Sequence, residues 1–116
     1  MDIKTSPWQE RFGLTTCAAG EIESAIPPAA LGVAVIYAQS TAGDAIFLVL
    51  ESRANSLRDL CVKRLQTAKI PPGAPLTVSF KAEILADASP EAVHAACRRQ
   101  VILAGELRRE LRPAMR

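Results

Sequence analysis

Residues 31–51, LGVAVIYAQSTAGDAIFLVLE, decide the fold. LGVAVIYA (31–38) is rich in β-branched residues, the polar tip QSTAGD follows, and AIFLVLE (45–51) is an unbroken apolar run closed by a glutamate, so the stretch reads as a β-hairpin. A continuous apolar run means that both faces of the second strand are covered, which requires helices or loops on each side of the sheet. The link between the strands is too short for a parallel crossover, so they pair antiparallel.

Downstream, SRANSLRDLCVKRLQTA (52–68) repeats Leu57, Leu60, Cys61, Leu65 and Ala68 at steps of three and four, the spacing of an amphipathic helix, with Asn55 as the expected cap. Its polar face carries Arg58, Asp59, Lys63, Arg64 and Gln66. After the loop KIPPGAP (69–75), LTVSFKAEIL (76–85) alternates Leu76, Val78, Phe80, Ala82 and Ile84 with Thr77, Ser79, Lys81 and Glu83, which marks a strand with one wet face. The last segment opens on Ser89 as cap, Pro90 at the first helical position and Glu91 at the positive end of the dipole. The helix is expected to reach about Leu111, before Pro113, with Val93, Ala96, Cys97, Gln100, Leu103, Leu107 and Leu111 turned inward.

Upstream, SPWQERFG (6–13) predicts a short helix capped by Ser6, with Pro7 first, Gln9 closing a capping box and Gly13 ending it. Residues 14–30 mix Gly, Pro and small side chains and read as an irregular lead-in, broken by Pro27 and Pro28. The expectation is a single small α+β domain over residues 31–116, a three-stranded antiparallel sheet (hairpin, helix, strand, long C-terminal helix) with helices packed on it. Residues 1–30 contribute the short helix and the lead-in.

The chain has 116 residues, 49% hydrophobic and 22% charged, a composition for one core at a size where neither disulfides nor metals are needed for stability. Three cysteines, Cys17, Cys61 and Cys97, at irregular spacing are expected to be reduced thiols. The N-terminal sequence lacks the basic-then-apolar pattern of a secretory signal, and the longest apolar run is far short of a membrane span. A soluble cytoplasmic protein with no membrane partner is expected. Net charge is +2, divided as −3 over residues 1–60 and +5 over 61–116, an asymmetry that permits an anionic partner.

The order of elements and the residues filling them resemble the GIY-YIG endonuclease superfamily, which includes the incision domain of bacterial excision repair. The likeness spans about residues 27–115. PPAALGVAVIY (27–37) has Gly32 and Val33 in place of the family's glycine and apolar residue, with Ala34 where a tyrosine belongs and Tyr37 three residues on. FLVLESRANSLRD (47–59) keeps Glu51, Ser52, Asn55, Leu57 and Arg58, while Leu48 and Leu50 occupy the tyrosine and glycine positions. Arg112 and Pro113 match an Arg-Pro pair on the last helix, but the metal-binding glutamate position is Ala104, and Glu106 lies about 200° round the helix from it.

The resemblance implies a mechanism in which a tyrosine deprotonates water, an arginine steadies the phosphate and a glutamate holds a divalent ion. Only the arginine, Arg58, is in register. The expected function is therefore a non-catalytic GIY-YIG-like domain that binds nucleic acid, DNA or RNA, weakly through Arg58, Lys63, Arg64, Arg98, Arg109, Arg112 and Arg116, without a cofactor. Arg98, Arg109, Arg112 and Arg116 fall within about 40° of one line on the last helix, a stripe able to follow phosphates.

One alternative is a divergent nuclease in which Tyr37 and Arg58 are catalytic and Glu106 or Glu51 holds Mg2+. Another is a protein-interaction module whose basic helix meets an acidic protein. The bland account of the arginines is a solvated face favoured by the helix dipole, with Arg99, Glu106 and Glu110 pairing beside it. Tyr37, at a strand end, is the one aromatic expected at the surface. His94 and Cys97 are spaced like two zinc ligands but lack a second pair, and the Cys97 thiol falls on the apolar stripe. PPGAP lacks the Gly-Lys-Ser element of a phosphate loop.

Overall fold

A computed structural model describes residues 7–40, 42–70 and 75–114 of the chain. Its elements run α1 (Pro7–Arg11), β1 (Thr15–Ala18), a 3-10 turn (Ala19–Glu21) into α2 (Ile22–Ala25), β2 (Leu31–Ser40), β3 (Gly43–Glu51), α3 (Leu57–Thr67), β4 (Thr77–Glu83) and α4 (Pro90–Leu111). From residue 31 onward the order is the expected one. The sheet, however, has four strands rather than three, all neighbours antiparallel, in the order β1-β4-β2-β3. The extra strand is TTCA in the supposed lead-in. It pairs with Thr77–Phe80 through contacts remote in sequence, which no local pattern announces.

The two faces of the sheet carry separate cores. Ala34, Ile36, Leu48, Leu50, Val78 and Phe80 point to one side, where Ile22 and Ile26 of the α2 region and Leu57 and Cys61 of α3 close over them. Val33, Val35, Tyr37 and Val49 point to the other, against Trp8 of α1 and Ala104 and Leu107 of α4. AIFLVLE, whose unbroken apolar run suggests a central strand, lies at the sheet edge, and it has no polar break because the α3 and α4 cores cover its two faces.

A bulge between Ile36 and Tyr37 changes which core the first half of β3 supplies. Ile36 pairs with Leu48 and Tyr37 with Ile46, so Phe47 is the extra residue. Strict alternation would turn Phe47 toward α4 and Ile46 toward α3. The bulge reverses them, and Phe47 packs with the α3 core while Ile46 packs with the α4 core.

The glycine the sequence singled out, Gly32, is required by strand pairing. Its φ is +156°, and a Cβ there would lie 2.0 Å from the Lys81 carbonyl oxygen on β4. The Gly32 N–H donates to Ser52 Oγ at 2.9 Å, which ties the start of β2 to the loop after β3. That loop ends at the α3 cap, which is Ser56 rather than Asn55: Ser56 Oγ accepts from the Asp59 N–H at 3.3 Å. Asn55 instead donates its N–H to the Ser52 carbonyl at 3.0 Å inside the turn. The expected start of α4 is found, with Ser89 Oγ accepting from Ala92 N–H at 3.2 Å and Pro90 first in the helix.

The α1 helix ends as expected at Gly13, whose φ of +67° suits glycine. The Ser6 cap lies outside the described residues, as do Arg116 and most of the KIPPGAP loop. Among the described residues no helix is long and apolar enough to cross a membrane.

Candidate functional site

The basic residues selected from the sequence fall on opposite faces of the sheet. Arg58, Lys63 and Arg64 ride on α3 over one core, and Arg98, Arg109 and Arg112 ride on α4 over the other. They cannot share one continuous surface. The two sets also differ in what already engages them.

On α3, Arg58 is half-buried and its Nη1 donates to the Glu23 carbonyl of α2 at 3.3 Å, a cation against the negative end of a short helix. Lys63 is exposed, and Arg64 is half-buried with interactions of its own. Arg58 is thus a brace between α2 and α3.

On α4, Arg98, Arg109 and Arg112 are exposed, and none makes a side-chain hydrogen bond or ion pair with another described residue. The remaining arginines are held. Arg11 pairs with Glu110 at 2.8 Å, Arg99 with Glu83 at 2.8 Å, and Arg53 and Arg108 both approach Glu51. These pairs replace the mutual pairing of Arg99, Glu106 and Glu110 anticipated from spacing: both partners of those residues come from other elements. Arg98 and Arg109 are eleven residues apart, about 16 Å along the axis at about 1.5 Å per residue. Between them on the outer face stand Ile102, 63% exposed, and Gly105, where an added Cβ meets nothing within 4 Å. Arg112 ends the helix in the left-handed conformation, φ +52°.

Tyr37, expected at the surface, has no exposed area. The strand end it marks in the sequence is covered by α1: the Trp8 ring packs edge-on at 5.1 Å and Gln9 Nε2 donates to the Tyr37 hydroxyl at 2.8 Å. The hydroxyl also lies 2.8 Å from Ser79 Oγ, and Ser79 Oγ is 2.8 Å from Thr16 Oγ1. Ser79, placed on the wet face of β4 by alternation, is buried by this chain of contacts. Nothing local to VSF signals it, because its partners come from β1 and β2.

The glutamates do not form the metal site that a nuclease would need. Ala104, which stands where the resemblance calls for a glutamate, is fully buried in the cluster of Val33, Val35 and Tyr37. Glu51 Oε1 accepts from Arg108 at 3.0 Å, and its Oε2 stands 3.3 Å from Arg53 Nε without the alignment of a hydrogen bond. Glu106 lies on the opposite flank of α4 from Arg108, about 160° away, in a shallow groove with Arg11, Phe12 and Arg109. Two carboxylates so separated cannot hold one ion together, and among the described residues no cluster of three or more His, Cys, Asp or Glu forms a metal site. His94 is exposed and Cys97 half-buried.

No protein-family model, curated protein or solved structure matches this chain. What can be said of its function rests on the geometry above.

Proposed function

We propose that this chain is a non-catalytic nucleic-acid-binding domain of GIY-YIG-like architecture, and that it meets phosphates through the outer stripe of α4 alone. The observation that carries this reading is selective: on α4, Arg98, Arg109 and Arg112 stand exposed and unengaged, while Arg99 and Arg108 on its flanks are committed to Glu83 and Glu51. An arginine that no carboxylate engages in a hydrogen bond or ion pair keeps its donors for a polyanion. The order hairpin, helix, strand, long helix supports the architecture. The burial of Tyr37 and the alanine at position 104 support binding without cleavage.

Three phosphate contacts predict that the logarithm of the DNA association constant falls with the logarithm of salt at a slope of about −2.7 on duplex and about −2.1 on single-stranded DNA. Fluorescence anisotropy of labelled duplex and single-stranded DNA between about 50 and 200 mM salt measures it, over the range where such contacts are most salt-sensitive. The same samples with magnesium, run on a gel, should show intact DNA. Absence of binding at the lowest salt sinks the reading, and cleaved strands would revive the nuclease.

A further inference from the structure

The flank of α4 that faces β4 is separate from the arginine stripe and has a different character. The pairing of β1 with β4 stops at Phe80, whereas β2 follows β4 as far as Glu83. Past the end of β1, a cleft of about 240 Å³ opens between β4 and α4, bounded by Val33, Ala82 and Leu103 and rimmed by Lys81, Glu83 and Arg99. Its walls are apolar. Its charges do not cancel.

Arg99 donates to both carboxylate oxygens of Glu83, at 3.3 and 2.8 Å, so those two rim charges neutralise each other. Gln100, at the back, is buried with its amide engaged on the Arg53 backbone. Lys81 remains: it is exposed, and its side chain makes no hydrogen bond or ion pair with a described residue. The cleft therefore combines an apolar interior with one lysine in its lining whose charge no described residue pairs. Its volume is below the roughly 300–1,000 Å³ of sites for drug-sized ligands, which restricts the occupant to a compact molecule.

We propose that this cleft binds a small organic monocarboxylate, with the carboxylate on Lys81 and a compact apolar body between Val33 and Leu103. A single negative charge is favoured because Lys81 is the one unpaired charge among the described lining residues. The apolar body gains by leaving water. The same chemistry is offered by a free acid and by the terminal residue of a peptide. Neither depends on the nucleic-acid reading, since Arg98 and Arg109 lie on the outer face of the helix.

The test is an NMR titration of the 15N-labelled full chain with four probes: 3-phenylpropionate, 3-phenylpropanamide, and an N-acetylated Ala-Ala-Phe tripeptide with its C-terminus free or amidated. Saturable shifts centred on Val33, Lys81, Ala82 and Leu103 are expected with the acids, and binding at least about fivefold weaker with the matching amides, the loss expected for one partly exposed ion pair. Tighter binding of the free acid assigns the site to a small molecule, and tighter binding of the tripeptide assigns it to a chain terminus.

Lys81→Met, at an exposed position where the folded spectrum is retained, should weaken the acids to the level of the amides, and Lys81→Arg should restore them. Absence of saturable shifts at these residues, equal binding of acid and amide, or unchanged binding by Lys81→Met overturns the proposal.

Discussion

Gln100 holds the peptide groups of Arg53 from both sides. Its Oε1 accepts the Arg53 N–H and its Nε2 donates to the Arg53 carbonyl at 3.0 Å, across 47 residues of sequence. Arg53 has φ +58°, a left-handed conformation that costs a non-glycine residue about 1–2 kcal/mol. The turn SRANS is kept in that shape because α4 supplies a buried amide for its polar groups, and this contact also fixes α4 to the loop between β3 and α3.

Removing the amide leaves the Arg53 backbone groups without partners in a partly buried place. Gln100→Ala should lower stability by about 2 kcal/mol, or roughly 8 °C in Tm for a chain of this size. Arg53→Gly should do the reverse, adding about 0.5–1 kcal/mol by relieving the strained φ. It gives up only an ion pair from an arginine side chain that is 70% exposed. Urea unfolding of both variants checks the pair of signs, and a destabilised Arg53→Gly would mean that the Glu51 contact outweighs the strain.

Tyr37 is a structural residue in this arrangement, and its hydroxyl is the centre of a buried chain from Gln9 through Ser79 to Thr16. Tyr37→Phe keeps the ring against Trp8 but strands the Gln9 amide, whose Oε1 already lacks a partner among the described residues. The expected cost is about 1–3 kcal/mol in stability. DNA affinity measured well below the new Tm should be unchanged. A variant of full stability with altered binding would restore Tyr37 to the functional surface.

The hairpin, α3 and α4 are legible in the sequence because each carries a period of its own: β-branched runs, three-and-four steps, and a Ser-Pro-Glu helix start. β1 is not legible, since TTCA is four residues whose only justification is Thr77–Phe80 on the far side of two helices and a hairpin. The same remoteness hid Ser79 and Tyr37, which alternation and strand position assign to solvent: α1 covers Tyr37, and Thr16 of β1 and Tyr37 itself engage Ser79. Ala104, absent from the expected inward stripe, has no exposed area. For the site, spacing alone groups the arginines of α4. That α3 lies over the opposite face is a property of the sheet order and appears only when the chain is folded.

Cys61 makes the stability of the fold sensitive to alkali. Burial in the α3 core, and secondarily the nearby Cys17 thiol, push its pKa from the ordinary 9.0 up to about 12. The folded chain thus keeps the proton that the unfolded chain releases, so the thiol's contribution is complete below pH 9 and is lost as pH rises toward 12. The slope from this one group is up to about 1.4 kcal/mol per pH unit. Cys61→Ala lacks the titrating group, so the stability gap between wild type and variant should narrow steadily from pH 9 upward in chemical denaturation. A gap that stays constant to pH 11 would place the Cys61 thiol in a wetter environment than the fully buried one described here.

The separation of the two basic helices gives the binding proposal its sharpest control. Lys63→Ala on α3 and the double substitution Arg98→Ala, Arg109→Ala on α4 remove exposed cations from opposite faces of one sheet, at positions where neither should cost more than about 0.5 kcal/mol of stability. If phosphates lie along α4, the double variant should flatten the salt slope by about 1.8, the loss of two contacts, while Lys63→Ala leaves slope and affinity near wild type. Equal effects from both faces would indicate only a diffuse attraction to net positive charge. A change confined to Lys63→Ala would move the interface to α3, where Arg58 would have to leave the Glu23 carbonyl to take part.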